Sequence, residues 1–213
     1  MRLSARRIVG AIQTLAFLFF ICGLTIGATA EPDETILVYG DSISAGYGIQ
    51  REEGWVELLA LRLGGKMKVV NASISGETTG GGLNRFPRTI EVNKPSVVVL
   101  ELGGNDGLRG YPIEQIRQNL LAMSNLAQAS GAIVVIAGME IPPNYGPRYT
   151  ASFREIFVSV AQETGSFLVP FLLQGVATNR NLMQADGIHP TAEAQLLLLE
   201  NLWPVLSKAM DNN

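Results

Sequence analysis

An α/β domain of three layers, with helices on both faces of a parallel sheet, is the fold class this sequence predicts. Three observations predict it. Short apolar, β-branched runs alternate with segments of helical period along most of the chain. Those runs are apolar on both faces, as strands covered from each side require. No internal repeat, low-complexity tract or linker interrupts the alternation.

The first 30 residues stand apart from that pattern. Arg2, Arg6 and Arg7 precede an apolar run over 8–26, and Ala28-Thr29-Ala30 offers a small-x-small cleavage site. This is the pattern of a secretory signal peptide. An uncleaved anchor is the alternative, since the run approaches spanning length. Cleavage after Ala30 is expected; it leaves residues 31–213 as a single domain, periplasmic or secreted, with no stable membrane span. No fuller twin-arginine motif surrounds Arg6-Arg7.

Losing the three leader arginines moves the formal net charge from −3 to −6. A mildly acidic domain without a Lys/Arg cluster argues against a nucleic-acid partner. The one cysteine, Cys22, lies in the leader. The mature domain therefore lacks a disulfide, a thiol nucleophile and a thiolate ligand, so its stability must come from its core. Bulky Phe20 and Ile21 argue against lipid attachment at Cys22.

The elements follow in order. Strands are expected at 35–39, 67–70, 96–102, 132–137 and 167–169. Between the first two, Trp55, Val56, Leu58, Leu59 and Leu63 recur at helical spacing until Gly64-Gly65 stops the helix. A long helix is expected over 113–129, with Ile116, Leu120, Met123 and Ala127 on one face. Another is expected over 153–163, and a last one over 192–210, bent at Pro204.

The first strand ends in Gly40-Asp41-Ser42, which sets a serine hydroxyl on a turn at the carboxyl edge of the sheet. Ligands bind at that edge in open α/β sheets. Other chemistries lack their residues. There is no Gly-x-Gly-x-x-Gly, no phosphate loop and no Gly-x-Ser-x-Gly elbow. One histidine and no mature cysteine make an ordinary zinc site implausible. A serine hydroxyl needs an adjacent base. The sole histidine, His189, is the side chain suited to that work. Asp186, three residues earlier in Asp186-Gly187-Ile188-His189-Pro190, can reach the imidazole from the same loop and stabilise the imidazolium. Pro190 disfavours helix at His189 and keeps the pair on a loop.

Acyl transfer also needs donors for a developing oxyanion. Gly76, after the second strand, lets a backbone N–H approach without a Cβ in the way. Asn105, after the third, supplies a neutral amide, and the Ser42 N–H is a third donor. All three residues end strands at one edge.

These blocks, in this order, resemble the SGNH (GDSL-type) hydrolases: Gly40-Asp41-Ser42, Gly76, Gly103-Gly104-Asn105-Asp106 and Asp186-Gly187-Ile188-His189. The longer stretches around Asn71-Ala72-Ser73, Leu100 to Gly110 and Pro143-Asn144-Tyr145-Gly146 are similar to the periplasmic thioesterase I/protease I/lysophospholipase subgroup, which includes arylesterases. The resemblance implies a flavodoxin-like sheet of five parallel strands and a Ser42–His189–Asp186 triad. It also implies an oxyanion hole of Ser42, Gly76 and Asn105, with no metal or cofactor. The Gly80-Gly81-Gly82 run departs from the polar residues usual in the subgroup. It lowers helix propensity, so the segment after Gly76 is expected to be mobile.

The activity implied is hydrolysis of acyl esters, thioesters or lysolipids, small-molecule substrates acted on by a monomer. Specificity is expected in the loops over 74–80, 108–111 and 141–148, with Leu108, Ile141 and Pro142 lining an apolar groove. Two other readings remain open: a carbohydrate esterase of the same fold, and a silent lipid-binding domain. Trp55 and Trp203 sit at helix-packing positions and form no sugar platform. A binding domain has no need of Ser, Asp and His at these places.

Overall fold

The computed structural model describes residues 34–212. The expected leader and its cleavage site lie outside those residues. Five strands form one sheet: β1 (Thr35–Gly40), β2 (Lys68–Asn71), β3 (Val97–Glu101), β4 (Ile133–Ala137) and β5 (Phe167–Val169). Their order is β2-β1-β3-β4-β5 and every pairing is parallel. This is the flavodoxin-like order, with a switch point between β1 and β3. Both strands are buried along their whole length.

Alternation along the strands divides the core into two. Ile36, Val38, Val97, Val99 and Val135 face helices α2 (Trp55–Leu63) and α7 (Gln195–Met210). Leu37, Tyr39, Val98, Leu100, Val134 and Ile136 face α3 (Thr79–Asn93), α5 (Ile113–Ala129) and α6 (Pro147–Thr164). The period of two along each strand sends successive side chains into opposite layers. Two short helices, α1 (Ser42–Ala45) and α4 (Gly104–Leu108), begin where β1 and β3 end. The layered α/β/α architecture and the count of five strands are as the sequence predicts.

Some elements differ. No helix is expected between β2 and β3, yet α3 fills that crossover. Its Gly80-Gly81-Gly82 run and interior Pro87 depress propensity, while tertiary contacts hold it. Phe86 is fully buried and Ile90 nearly so. The Tyr39 hydroxyl donates to the Gly82 carbonyl at 2.7 Å. Thr78 caps the helix by accepting from Gly81 N–H. The glycine run is therefore the first turn of a packed helix. Helix α6 begins at Pro147, earlier than expected, because proline at a first helical position costs no hydrogen bond. The last helix opens as a 3-10 turn over Ala192–Ala194 and α7 continues through Pro204. Trp55 is buried and Trp203 packs against the same layer, consistent with structural roles. No helix among the described residues is long and apolar enough to cross a membrane.

Candidate active site

Ser42 opens the turn that follows β1. Asp41 precedes it as the helix cap: its Oδ1 accepts from Ile43 N–H at 3.0 Å, and its Oδ2 accepts from Asn105 Nδ2 at 2.9 Å. Asp41 is almost wholly buried, and that burial pushes its carboxyl up to about 6, against the lowering effect of those two donors. Neighbouring strands strap the turn. From β2, Asn71 Nδ2 donates to the Ser44 carbonyl at 2.8 Å, and just beyond it Ser73 Oγ accepts from Gly40 N–H at 3.1 Å. From β3, the Glu101 carboxyl accepts from the turn's own amides.

The second piece arrives from the far end of the chain. His189 Nε2 lies 2.9 Å from Ser42 Oγ, and its Nδ1 lies 2.7 Å from Asp186 Oδ2. Asp186 Oδ1 accepts from the N–H groups of Ile188 and His189 at 2.9 and 3.0 Å. Bonding to His189 first, and to those amides second, holds the Asp186 carboxyl down at about 2. The loop is fastened by Gln184. Its Nε2 donates to the carbonyls of Tyr47 and Pro190, and its backbone N–H donates to the His189 carbonyl at 2.7 Å. Tyr47, on the segment after Ser42, sets its ring 4.4 Å from the imidazole. So Ser42, Asp186 and His189 meet in one hydrogen-bonded line, the geometry in which a hydroxyl can pass its proton to a base.

The oxyanion candidates sit around the same turn with different surroundings. Ser42 and Asn105 both line a cavity of about 510 Å³. Gly76 lies in an exposed turn after β2, outside that lining, with its carbonyl accepting from an Arg109 guanidinium N–H at 3.4 Å. Next to Asn105, Asp106 is buried and accepts from Thr79 N–H at 2.8 Å and Thr79 Oγ1 at 2.6 Å, which ties α4 to the start of α3. Burial raises the Asp106 carboxyl above its ordinary range.

Leu108, Ile141 and Pro142 all line the cavity beside Ser42. The loop over 74–80 contributes nothing to that lining, and of 108–111 only Leu108 does. A further part of the wall comes from Phe171, Leu172, Leu173, Ala177 and Met183, which follow β5. Sequence reasoning missed that wall. The signal available was the apolar run Phe171-Leu172-Leu173 directly after Pro170, past a strand of only three residues. It also missed Glu101, which reads as one more strand residue until its pairing with Gly40 is known.

Comparison with known proteins identifies the family. A model of the GDSL-like lipase/acylhydrolase family matches residues 38–197. The esterase TesA of Pseudomonas aeruginosa is 52% identical over 176 residues, covering 81% of this chain and 88% of that protein. The thioesterase 1/protease 1/lysophospholipase L1 of Escherichia coli strain K12 is 41% identical over 181 residues, covering 85% of this chain and 86% of its own. Among solved structures, the psychrotrophic esterase EstA from Pseudoalteromonas sp., inhibited by monoethylphosphonate, superposes with a TM-score of 0.80 at 41% identity. It covers 85% of this chain and the whole of that one. On that family match and those identities, the chain belongs to the GDSL-like lipase/acylhydrolase family of hydrolases.

Proposed function

We propose that this protein hydrolyses carboxylic esters and thioesters of apolar acyl groups through an acyl-enzyme on Ser42. The observation that carries the reading is the unbroken line from Ser42 Oγ to His189 Nε2 and from His189 Nδ1 to Asp186, at 2.9 and 2.7 Å. His189 takes the Ser42 proton as the hydroxyl attacks the carbonyl carbon. Asp186 accepts a hydrogen bond from Nδ1–H and, remaining ionised, stabilises the imidazolium. His189 then returns its proton to the departing alcohol or thiol. Water enters by the same route, and its attack releases the acid and restores Ser42.

Ser42 N–H, Gly76 N–H and the Asn105 amide are the proposed oxyanion donors. An amide carries two protons. One of Asn105's goes to Asp41, which orients the group, and the other is available to the oxygen. Each such donor contributes about 3 kcal/mol to the transition state. The acyl chain is assigned to the cavity, whose lining is mostly apolar and carries no Lys or Arg. That lining favours an uncharged tail. The leader features of residues 1–30 support export to the periplasm with cleavage after Ala30.

The test is covalent. An alkyl phosphonate ester should label Ser42 with loss of p-nitrophenyl ester hydrolysis, and Ser42→Ala should abolish both. Labelling of another residue, or hydrolysis surviving in Ser42→Ala, overturns the reading.

A further inference from the structure

A carboxyl that the reaction above does not use lies directly beneath the nucleophile. Glu101, the last residue of β3, is fully buried and paired in register with Gly40. Its Oε2 accepts three hydrogen bonds from the nucleophile turn: Asp41 N–H at 3.2 Å, Ser44 N–H at 3.2 Å and the Ser44 hydroxyl at 2.5 Å. Those groups lie on both sides of Ser42 in sequence, so a single oxygen grips the turn before and after the nucleophile. The other oxygen, Oε1, is buried without a partner.

Gly40 explains how the carboxyl gains access. A Cβ at position 40 would stand 2.4 Å from Glu101 Oε2 and 2.9 Å from Ser44 Oγ. The glycine of Gly40-Asp41-Ser42 is thus the space that the Glu101 head occupies. This is a steric demand, separate from any turn conformation.

We propose that Glu101 is a positioning residue for the nucleophile: through Asp41 N–H and Ser44 it fixes the peptide frame from which Ser42 presents its hydroxyl and its own N–H. The proposal rests on the reading of Ser42 as the nucleophile. Burial, and next the Asp41 carboxylate, push the Glu101 carboxyl well above its ordinary range. A glutamine keeps an oxygen that can accept from the same three donors at the same side-chain length, which makes Glu101→Gln the conservative replacement.

Wild type, Glu101→Ala, Glu101→Gln and Ser44→Ala are compared by steady-state hydrolysis of a short acyl ester, by rate of labelling with an alkyl phosphonate ester, and by thermal melting. Glu101→Ala is expected to lower kcat and the labelling rate by about 30- to 100-fold with KM within about threefold, the size expected when reacting groups are misplaced by a fraction of an ångström to an ångström. Glu101→Gln should restore kcat to within about threefold, because its amide oxygen accepts the same donors. A folded Glu101→Ala protein labelled at the wild-type rate overturns the proposal. So does a loss that only tracks the fraction unfolded, or a Glu101→Gln protein no better than Glu101→Ala. Should Glu101→Ala not fold, Ser44→Ala decides. A fall of about three- to tenfold in kcat at constant KM, the size of one lost hydrogen bond, upholds the proposal, and an unchanged labelling rate overturns it. Wild-type protein that resists labelling would sink the Ser42 reading itself, a result distinct from all of these.

Discussion

His189 Nε2 stands 2.9 Å from Ser42 Oγ across 147 residues of chain. The two are joined by how the ends of the domain dock. Helix α7 packs beside α2, and Gln195 at its start accepts from Trp55 N–H at 3.1 Å. That contact sets the preceding loop over the carboxyl end of β1, and Gln184 then ties the loop to the Tyr47 carbonyl. The imidazole is thereby placed by hydrogen bonds from elements remote in sequence.

Asp186 is held at about 2 by its bond to His189 and by two loop amides. It therefore stays ionised across the neutral range. A general base works only in its unprotonated form, so ester hydrolysis should fall in acid, and His189→Ala should remove that dependence. Asp186→Asn should lower kcat by about 10²- to 10⁴-fold, since it removes the charge that steadies the imidazolium. The check is kcat against pH for the three proteins. A His189→Ala profile parallel to wild type would refute the assignment of the base.

Thermal stability should move in the opposite direction. The Asp41 carboxyl is raised to about 6 by burial, so folding favours its protonated form. Its contribution is fully present below the unfolded value of about 3.9 and is lost as pH rises through about 6. Glu101 acts with the same sign. Between about pH 5 and 8 the loss from Asp41 alone is about 1 kcal/mol, or about 2–4 °C in Tm for a domain of this size. Melts across that range decide the point, with Asp41→Asn as the control that reduces the fall by the Asp41 share. A wild-type Tm that climbs from the acidic to the alkaline end contradicts it.

The glycine run in α3 separates two effects that propensity alone would merge. At Gly80 the nearest atom to an added Cβ is Asn119 Nδ2 at 3.7 Å, an ordinary contact. Gly80→Ala should stabilise the protein by about 0.5–1 kcal/mol. At Gly82 an added Cβ meets Leu102 Cδ1 at 2.6 Å and the Tyr39 ring at 3.4 Å. Gly82→Ala should destabilise by about 1–3 kcal/mol through overpacking. Denaturant unfolding of the two variants measures both, and equal effects at the two sites would undo the distinction.

Leu108 stands at the end of α4 on the cavity wall. Leu108→Trp should fill part of the roughly 510 Å³ space. Activity on a decanoyl ester should fall about tenfold or more relative to an acetyl ester, as lost apolar contact with several methylenes requires. An equal loss on both substrates would place the long chain elsewhere.

Much of the fold was legible because apolar runs and helical spacing are local signals. All five strands fall where apolar runs stand, and α2 and α5 bury their apolar stripes, Leu58 only in part. Helix α3 was hidden because its stability comes from Phe86, Ile90 and the Tyr39–Gly82 bond, none of which a propensity scale sees. Ser42, Asn105, Asp186 and His189 were legible because each stands in a short run whose residue types have few other uses. The wall built by Phe171 to Met183 was not. A pocket side is defined by what faces it across the sheet edge, and a stretch of apolar loop residues reads the same whether it packs or lines.

What the sequence determined by itself is the kind of chemistry: one histidine, no cysteine after Cys22 and a serine at a strand end leave few mechanisms. Tertiary structure alone decided that the glycine before Asp41 yields its side-chain space to Glu101, that Asn105 leans on Asp41, and which loops enclose the cavity. Residue type is written in the chain and local pattern follows from it. Burial, by contrast, depends on neighbours supplied by distant segments, and burial is what raises the Asp41 and Glu101 carboxyls around the Ser42 turn.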